Sequence, residues 1–274
     1  MLDVGLGQTG PYAQFSGFGN LAAALTGFYE ITGWPDRAPA GPFLAYTDYI
    51  APRFAALAAL SAVDHARRTG EGQYVDIAQG EAALHLLAPA LLEWSVNGRV
   101  VTRRGNDDAT MVPHGVYPAA GDDRWVAIAC QDDDRWRRLA NLVDRDDLAD
   151  LSTDERRARQ VELDGIVGAW TCQHQPEVIQ DRLRAADVAA HDVQNSTQCM
   201  HDPQLAHRRH FRLVPHPHHG ETFVEGPNGA YSRTAPYPAW AGPTVGQHTD
   251  VVLREILGYD DDRVTDLVIA GAIT

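Results

Sequence analysis

The sequence predicts a mixed α/β protein, and three patterns carry that expectation. Residues 49–68 place Ile50, Phe54, Leu57 and Ala58 at three- and four-residue intervals, the spacing of an amphipathic helix. Residues 73–78 and 124–129 alternate in strand fashion. Between the second strand and a proline-rich segment lies a long run, residues 132–186, whose apolar positions again follow the helical period. At roughly 150 residues per domain, 274 residues make one large domain or two modest ones, ample to bury a core without crosslinks.

In chain order, residues 1–41 are rich in turn formers, with Gly5, Gly7, Gly10-Pro11, Gly17, Gly19, Gly33, Pro35 and Pro39. Within them, residues 21–26 have helical composition, and either Gly27 or Gly33 stops them. Asp48 opens the long helix, which closes with Arg67-Arg68-Thr69-Gly70: cations at its negative end and a glycine just past it. Residues 81–94 read as a second helix, broken or kinked at Pro89. The polar residues 100–108 form a linker. A hairpin follows, residues 115–117 and 124–129 around a turn at 120–123, and residues 113–193 make a small α/β domain. Residues 201–244 carry short extended pieces at 212–214 and 222–224. Two helices, 247–257 and 263–270, end the chain.

Charge removes whole classes of function. Acidic residues number 37 against 23 basic ones, the net charge is −14, and every basic residue is an arginine. Such a surface repels phosphate backbones, so nucleic acid is not an expected partner. The longest apolar stretch, residues 54–63, is too short to span a bilayer. The first residues lack the pattern of a signal peptide. The expectation is a soluble cytoplasmic protein with no membrane partner. Cys130, Cys172 and Cys199 are too few and too scattered for a disulfide framework, and each is expected to be a buried thiol. His216-Pro-His218-His219, with His201, His207 and His210 nearby, lacks metal-ligand spacing and reads as a solvated loop, so no metal is expected. Gly5, Gly7 and Gly10 imitate a dinucleotide fingerprint without the strand–turn–helix unit it needs.

Asp48 admits two readings from position alone: a helix N-cap, for which aspartate is well suited, or a carboxylate presented where backbone N–H groups point outward. The surrounding motifs favour the second. Gly7-Gln-Thr-Gly-Pro-Tyr12, Thr32-Gly33 with Pro35-Asp36, Asp48, Arg68-Thr-Gly-Glu-Gly-Gln-Tyr-Val-Asp76 and Glu81-Ala-Ala-Leu84 occur in a familiar order. Arg104-Gly-Asn106, Pro113-His-Gly-Val-Tyr117, Gly121-Asp-Asp-Arg-Trp-Val-Ala-Ile-Ala129, His201-Asp-Pro-Gln-Leu205 and Gly246-Gln-His-Thr249 continue it. The ordered set resembles the class III CoA-transferase family, the CaiB/BaiF type.

That resemblance implies a Rossmann-like large domain, a separate small α/β domain and an interlocked dimer. Residues 1–100 and 205–274 would belong to the large domain, and 113–193 would be the small one. It implies that Asp48 is the nucleophile and that Gly17, Phe18, Gly19 and Asn20 touch coenzyme A. CoA or acyl-CoA is then a substrate rather than a resident cofactor. The reaction implied is transfer of CoA from an acyl-CoA to a free carboxylic acid through an aspartyl covalent intermediate. Where the racemase branch has a histidine, this chain has Phe18, so one of the two bases an α-proton exchange needs is missing. Family members also carry a long segment ahead of the Gly-Gln-Thr-Gly-Pro motif, which here begins at Gly7. The chain therefore resembles the C-terminal two-thirds of such an enzyme: truncated, mis-started, or one piece of a split protein. The competing expectation is a non-catalytic relic, or a structural subunit paired with a complete homologue in a heterodimer instead of a homodimer. An isolated chain of this kind is expected to be poorly soluble or tightly oligomeric and to bind CoA weakly.

Overall fold

The computed structural model describes residues 2–15, 17–227, 229–234 and 237–273. They form two compact units, one ending at Val193 and one beginning at Gln194.

The first unit opens with β1 (Leu2–Val4), which pairs in parallel with β2 (Asp76–Ala78), Leu2 opposite Asp76 and Val4 opposite Ala78. Between them lie α1 (Gly19–Leu25), α2 (Phe28–Ile31) and α3 (Tyr46–Thr69). Gly27, at φ 94°, separates α1 from α2, and Gly33, at φ 113°, follows α2. Each of the two glycines flagged by sequence thus ends a different helix. After β2 come α4 (Gln79–Leu84), a single 3₁₀ turn, and α5 (Ala88–Asn97). Pro89 sits in the first turn of α5, where its missing N–H costs nothing. It therefore starts a helix rather than kinking one. A small core of Ala23, Phe28, Ile50, Ala83 and Leu87 joins α1, α2, α3 and α4.

From residue 112 the same unit builds a denser layer. The strands β3 (His114–Pro118), β4 (Trp125–Ala129) and β5 (Ala189–Asp192) form an antiparallel sheet with β4 in the middle. Packed with it are α6 (Asp133–Leu142), α7 (Thr153–Ala158), α8 (Gln160–Thr171) and α9 (Pro176–Ala185). Val126, Ile128, Trp136, Leu139, Leu163, Val167, Ile179 and Leu183 share one continuous core. Arg156 is wholly buried there: its guanidinium donates to Val112 O, Leu151 O, Asp133 Oδ1 and Thr153 Oγ1, and it lies 5.7 Å from the Trp136 ring centroid.

The second unit contains α10 (Ser196–Met200), α11 (Pro203–His207), the hairpin β6 (Phe211–His216) and β7 (Gly220–Glu225), a π-helical turn over Val251–Ile256, and α12 (Asp261–Ile269). The histidine run is the tip of the hairpin, where His216 Nδ1 accepts the backbone N–H groups of His218 and His219 at 3.1 and 3.2 Å. Of the three cysteines only Cys130 is buried; Cys172 is exposed and Cys199 half-buried, which corrects the expectation of three buried thiols. Burial pushes the Cys130 thiol up to about 12, so it is no nucleophile at neutral pH. No helix among the described residues is long and apolar enough to cross a membrane.

Candidate active site

Asp48 is exposed and lies in the first turn of α3. The helix begins at Tyr46, and its N-cap is Ala45, whose side chain makes no capping bond. Asp48 is therefore not the cap that position alone allowed. Its carboxylate stands at the positive end of a 24-residue helix, where the dipole favours a negative charge, while Tyr46 N and Asp48 N donate to Leu44 O and Ala45 O at 3.0 and 2.9 Å.

What Asp48 faces is backbone. Gly19, the buried first residue of α1, is so close that a Cβ added to it would meet Asp48 Oδ2 at 2.8 Å and Ala45 Cβ at 2.7 Å. Any side chain at position 19 would displace the carboxylate or the helix start. The neighbouring Thr47 is fully buried and donates its Oγ1–H to Gly19 O at 3.1 Å, which ties α1 to the first turn of α3. Among the described residues the Asp48 carboxylate has no hydrogen-bond or ion-pair partner. A carboxylate held by packing yet free of donors keeps its lone pairs available for attack.

Of the four residues singled out beside it, Gly19 meets Asp48 directly. Phe18 is the extended N-cap of α1 and is 80% exposed, so its ring is not part of a packed wall. Asn20 is exposed as well. Gly17 lines a separate apolar pocket of about 460 Å³ with Leu6, Tyr12, Phe15, Leu21 and Leu25. Thr47 and Ala45 escaped the sequence reading. A buried threonine beside the key residue gives no periodic signal, and only its bond to Gly19 reveals its role.

Two of the motifs meet in space. Gln8 N donates to Asp76 Oδ2 at 3.1 Å, and Tyr74 Oη donates to Gln8 Oε1 at 2.6 Å. Gly80 N donates to Gly5 O at 3.0 Å. The Gly-Gln-Thr-Gly-Pro turn is thus anchored to the start of β2 and α4. The Arg104-Gly-Asn106 motif docks elsewhere: Gly105 N donates to Gly33 O at 2.8 Å, and the Trp34 ring covers Gly105 so closely that a Cβ there would lie 2.3 Å from it. Arg103 pairs with Glu30 of α2 at 3.0 Å. The linker is therefore fastened back onto the segment between α2 and α3. Among the described residues no group of three His, Cys, Asp or Glu side chains is arranged to hold a metal ion.

The family model of CoA-transferase family III matches residues 4–249. The chain is 33% identical over 267 residues to a succinyl-CoA–D-citramalate CoA-transferase of Chloroflexus aurantiacus, covering 96% of this chain and 66% of that protein. It is 31% identical over 269 residues to the alpha subunit of a succinyl-CoA–L-malate CoA-transferase of Chloroflexus aurantiacus, covering 96% of this chain and 62% of that one. The crystal structure of a CaiB/BaiF family protein from Brucella suis superposes with a TM-score of 0.83 at 23% identity, over 92% of this chain and 66% of that chain. At that identity the likeness speaks for the fold alone. The chain spans 66% or less of the length of these relatives.

Proposed function

The chain belongs to CoA-transferase family III, and from that premise we propose that it moves CoA from an acyl-CoA to a free carboxylic acid with Asp48 as the covalent nucleophile. The observation that carries the reading is the Asp48 carboxylate: exposed, unpaired among the described residues, and set against the backbone of Gly19 in the first turn of α3.

The chemistry follows from the group. Ionised near neutral pH, a carboxylate needs no general base to attack a thioester carbonyl. One Asp48 oxygen forms the new C–O bond, the C–S bond breaks, and CoA leaves as a thiolate, giving an acyl-aspartyl anhydride. Attack of that thiolate on the aspartyl carbonyl releases the donor acid and leaves an aspartyl thioester. The acceptor carboxylate then attacks this thioester. The thiolate it frees attacks the acceptor's acyl carbon, which restores Asp48 and delivers the new acyl-CoA. The positive end of the α3 dipole is suited to stabilising the oxyanions on this route. Gly17, Phe18, Gly19 and Asn20 are the proposed CoA contacts, and the absence of a base at Phe18 favours transfer over racemisation.

The relatives' names point to succinyl-CoA as donor and a hydroxylated dicarboxylic acid as acceptor. The working form is proposed to be an interlocked homodimer, or a pair with a homologous subunit, in the cytoplasm. In it residues 205–274 would return to the large domain begun by residues 1–100, with 113–193 as the small domain. The test is trapping. Incubation with succinyl-CoA followed by hydroxylamine should convert the Asp48 side chain to a hydroxamate, detected by peptide mass. Asp48→Ala should abolish both the adduct and turnover, and Asp48→Asn nearly so, because an amide is a poor nucleophile. CoA transfer at normal rate by Asp48→Ala would refute the assignment.

A further inference from the structure

A chain of net charge −14 contains one conspicuously basic stretch. Residues 203–220 hold three arginines and five histidines without a single Asp or Glu, and as far as residue 249 only Glu221 and Glu225 are acidic. The structure gathers the first part of this stretch around an open pocket of about 320 Å³ in the second unit. His207, Arg208, Arg209, His210, Pro227 and Tyr237 are among its walls, and among the described residues no carboxylate lines it.

The arginines here are not spent on partners. Arg208 and Arg209 are exposed and Arg212 is half-buried, whereas the buried or half-buried guanidinium groups at Arg103, Arg135 and Arg156 are tied to a carboxylate or a carbonyl. Among the described residues, Arg208, Arg209 and Arg212 have no ion pair. Arg209 and Arg212 instead stand over the Tyr237 ring, 6.0 and 4.2 Å from its centroid, which keeps two like charges side by side.

Arg209 is also placed at a conformational cost. Helix α11 ends with His210 N donating to Leu205 O and Arg209 N donating to Ala206 O, both at 3.0 Å. This is the double bond pattern of a Schellman ending, whose penultimate position takes the left-handed backbone that glycine adopts freely. Arg209 occupies it at φ 53°. A glycine would close this helix more cheaply; an arginine there adds a side chain to the pocket's lining.

We infer that this pocket binds a diphosphate-bearing small molecule. Two guanidinium forks, two imidazoles and no opposing carboxylate fit a multiply charged anion, and guanidinium matches phosphoryl oxygens in bidentate fashion. The diphosphate can arrive on CoA or on a free nucleotide, and the inference does not rest on acyl transfer at Asp48.

The experiment is calorimetric titration of the full chain at low ionic strength with pyrophosphate, ADP, CoA and succinate. Pyrophosphate should bind, weaken as salt is added, and outcompete succinate. Arg209→Gly should unfold at the same or a higher temperature, since glycine relieves the left-handed backbone, and should lose about tenfold or more in pyrophosphate affinity. Arg208→Ala should move affinity in the same direction. An equal loss for CoA would identify the diphosphate as CoA's own, whereas a loss for ADP with CoA unchanged would identify a free nucleotide. The inference is overturned if the native chain does not bind pyrophosphate, if succinate binds as tightly, or if folded Arg209→Gly retains native affinity.

Discussion

Residues 112–193 and the region around Asp48 are built on opposite terms. Among the described residues the former buries seventeen side chains in one core, including Trp136, Leu139, Val126 and Ile179 at 0% exposure. The latter has a core of five, two of them alanines. Around it Phe18, Leu57, Leu60, Trp94 and Val96 are exposed, and no residue of α3 beyond Ala55 is buried. The Asp48 region thus leaves far more of its large apolar side chains exposed around a much smaller core. The difference teaches where packing resides: residues 112–193 carry the dense core, and Asp48, the proposed nucleophile, stands on a sparsely packed scaffold that exposes several large apolar side chains.

The comparison breaks most visibly at Trp136. Its ring is fully buried, its Nε1–H donates to Leu148 O at 2.8 Å, and Arg156 packs over it. Trp136→Ala should cost about 3–5 kcal/mol by chemical denaturation, as cavity formation in a dense core does. A loss below about 1 kcal/mol would mean that this core is not the stable part of the molecule.

At the other pole are Leu57 and Leu60, 65% and 70% exposed one turn apart on α3. Replacing both with serine should change stability by no more than about 0.5 kcal/mol each if the face is free in the isolated chain. The same pair should reduce self-association measured by sedimentation. A loss of several kcal/mol would instead show that this helix face is covered in the protein as it exists.

How much of this was legible in the sequence also divides along the same line. The hairpin at residues 114–129 and the helices that follow could be read because alternation and helical period persist wherever one face is buried. Around Asp48 the periodic signal is diluted, since α3 buries only its first turns, and the ordered motifs rather than the pattern singled out the aspartate. The start of α3 was misplaced because Ala45 carries no capping side chain. Strand β2 proved to be Asp76–Ala78, shorter than the alternation over 73–78 suggested, because only three residues find a partner in β1. Arg156 was illegible for a different reason. In a run of Asp, Glu and Arg it looks solvated, and only the carbonyls of Val112 and Leu151 show why it is buried.

The smallest effect concerns the edge of the dense core, where a carboxyl is kept partly from water. Asp164 on α8 accepts the Tyr117 hydroxyl proton at 2.6 Å. Half-burial raises its pKa above the ordinary 3.8, and the hydrogen bond from Tyr117 opposes that only in part. The folded protein thus holds this proton to higher pH than the unfolded chain does. Folding is favoured by this group below pH 3.8, and the contribution is lost as pH rises through the raised value. Asp133 and Glu155 run the other way: hydrogen bonds from Arg156 and from Ser152 hold their carboxyls low, so their support is lost as pH falls. The two trends overlap in the native protein, and Asp164→Asn separates them. The amide keeps an acceptor for Tyr117 but has no proton to lose. Subtracting its stability curve from that of the native protein, both measured by urea denaturation from pH 3 to 7, should leave a difference that grows in favour of the variant as pH rises. A flat difference would mean that Asp164 is as well solvated folded as unfolded. The sheet edge near Tyr117 would then be more open than the rest of the core it adjoins.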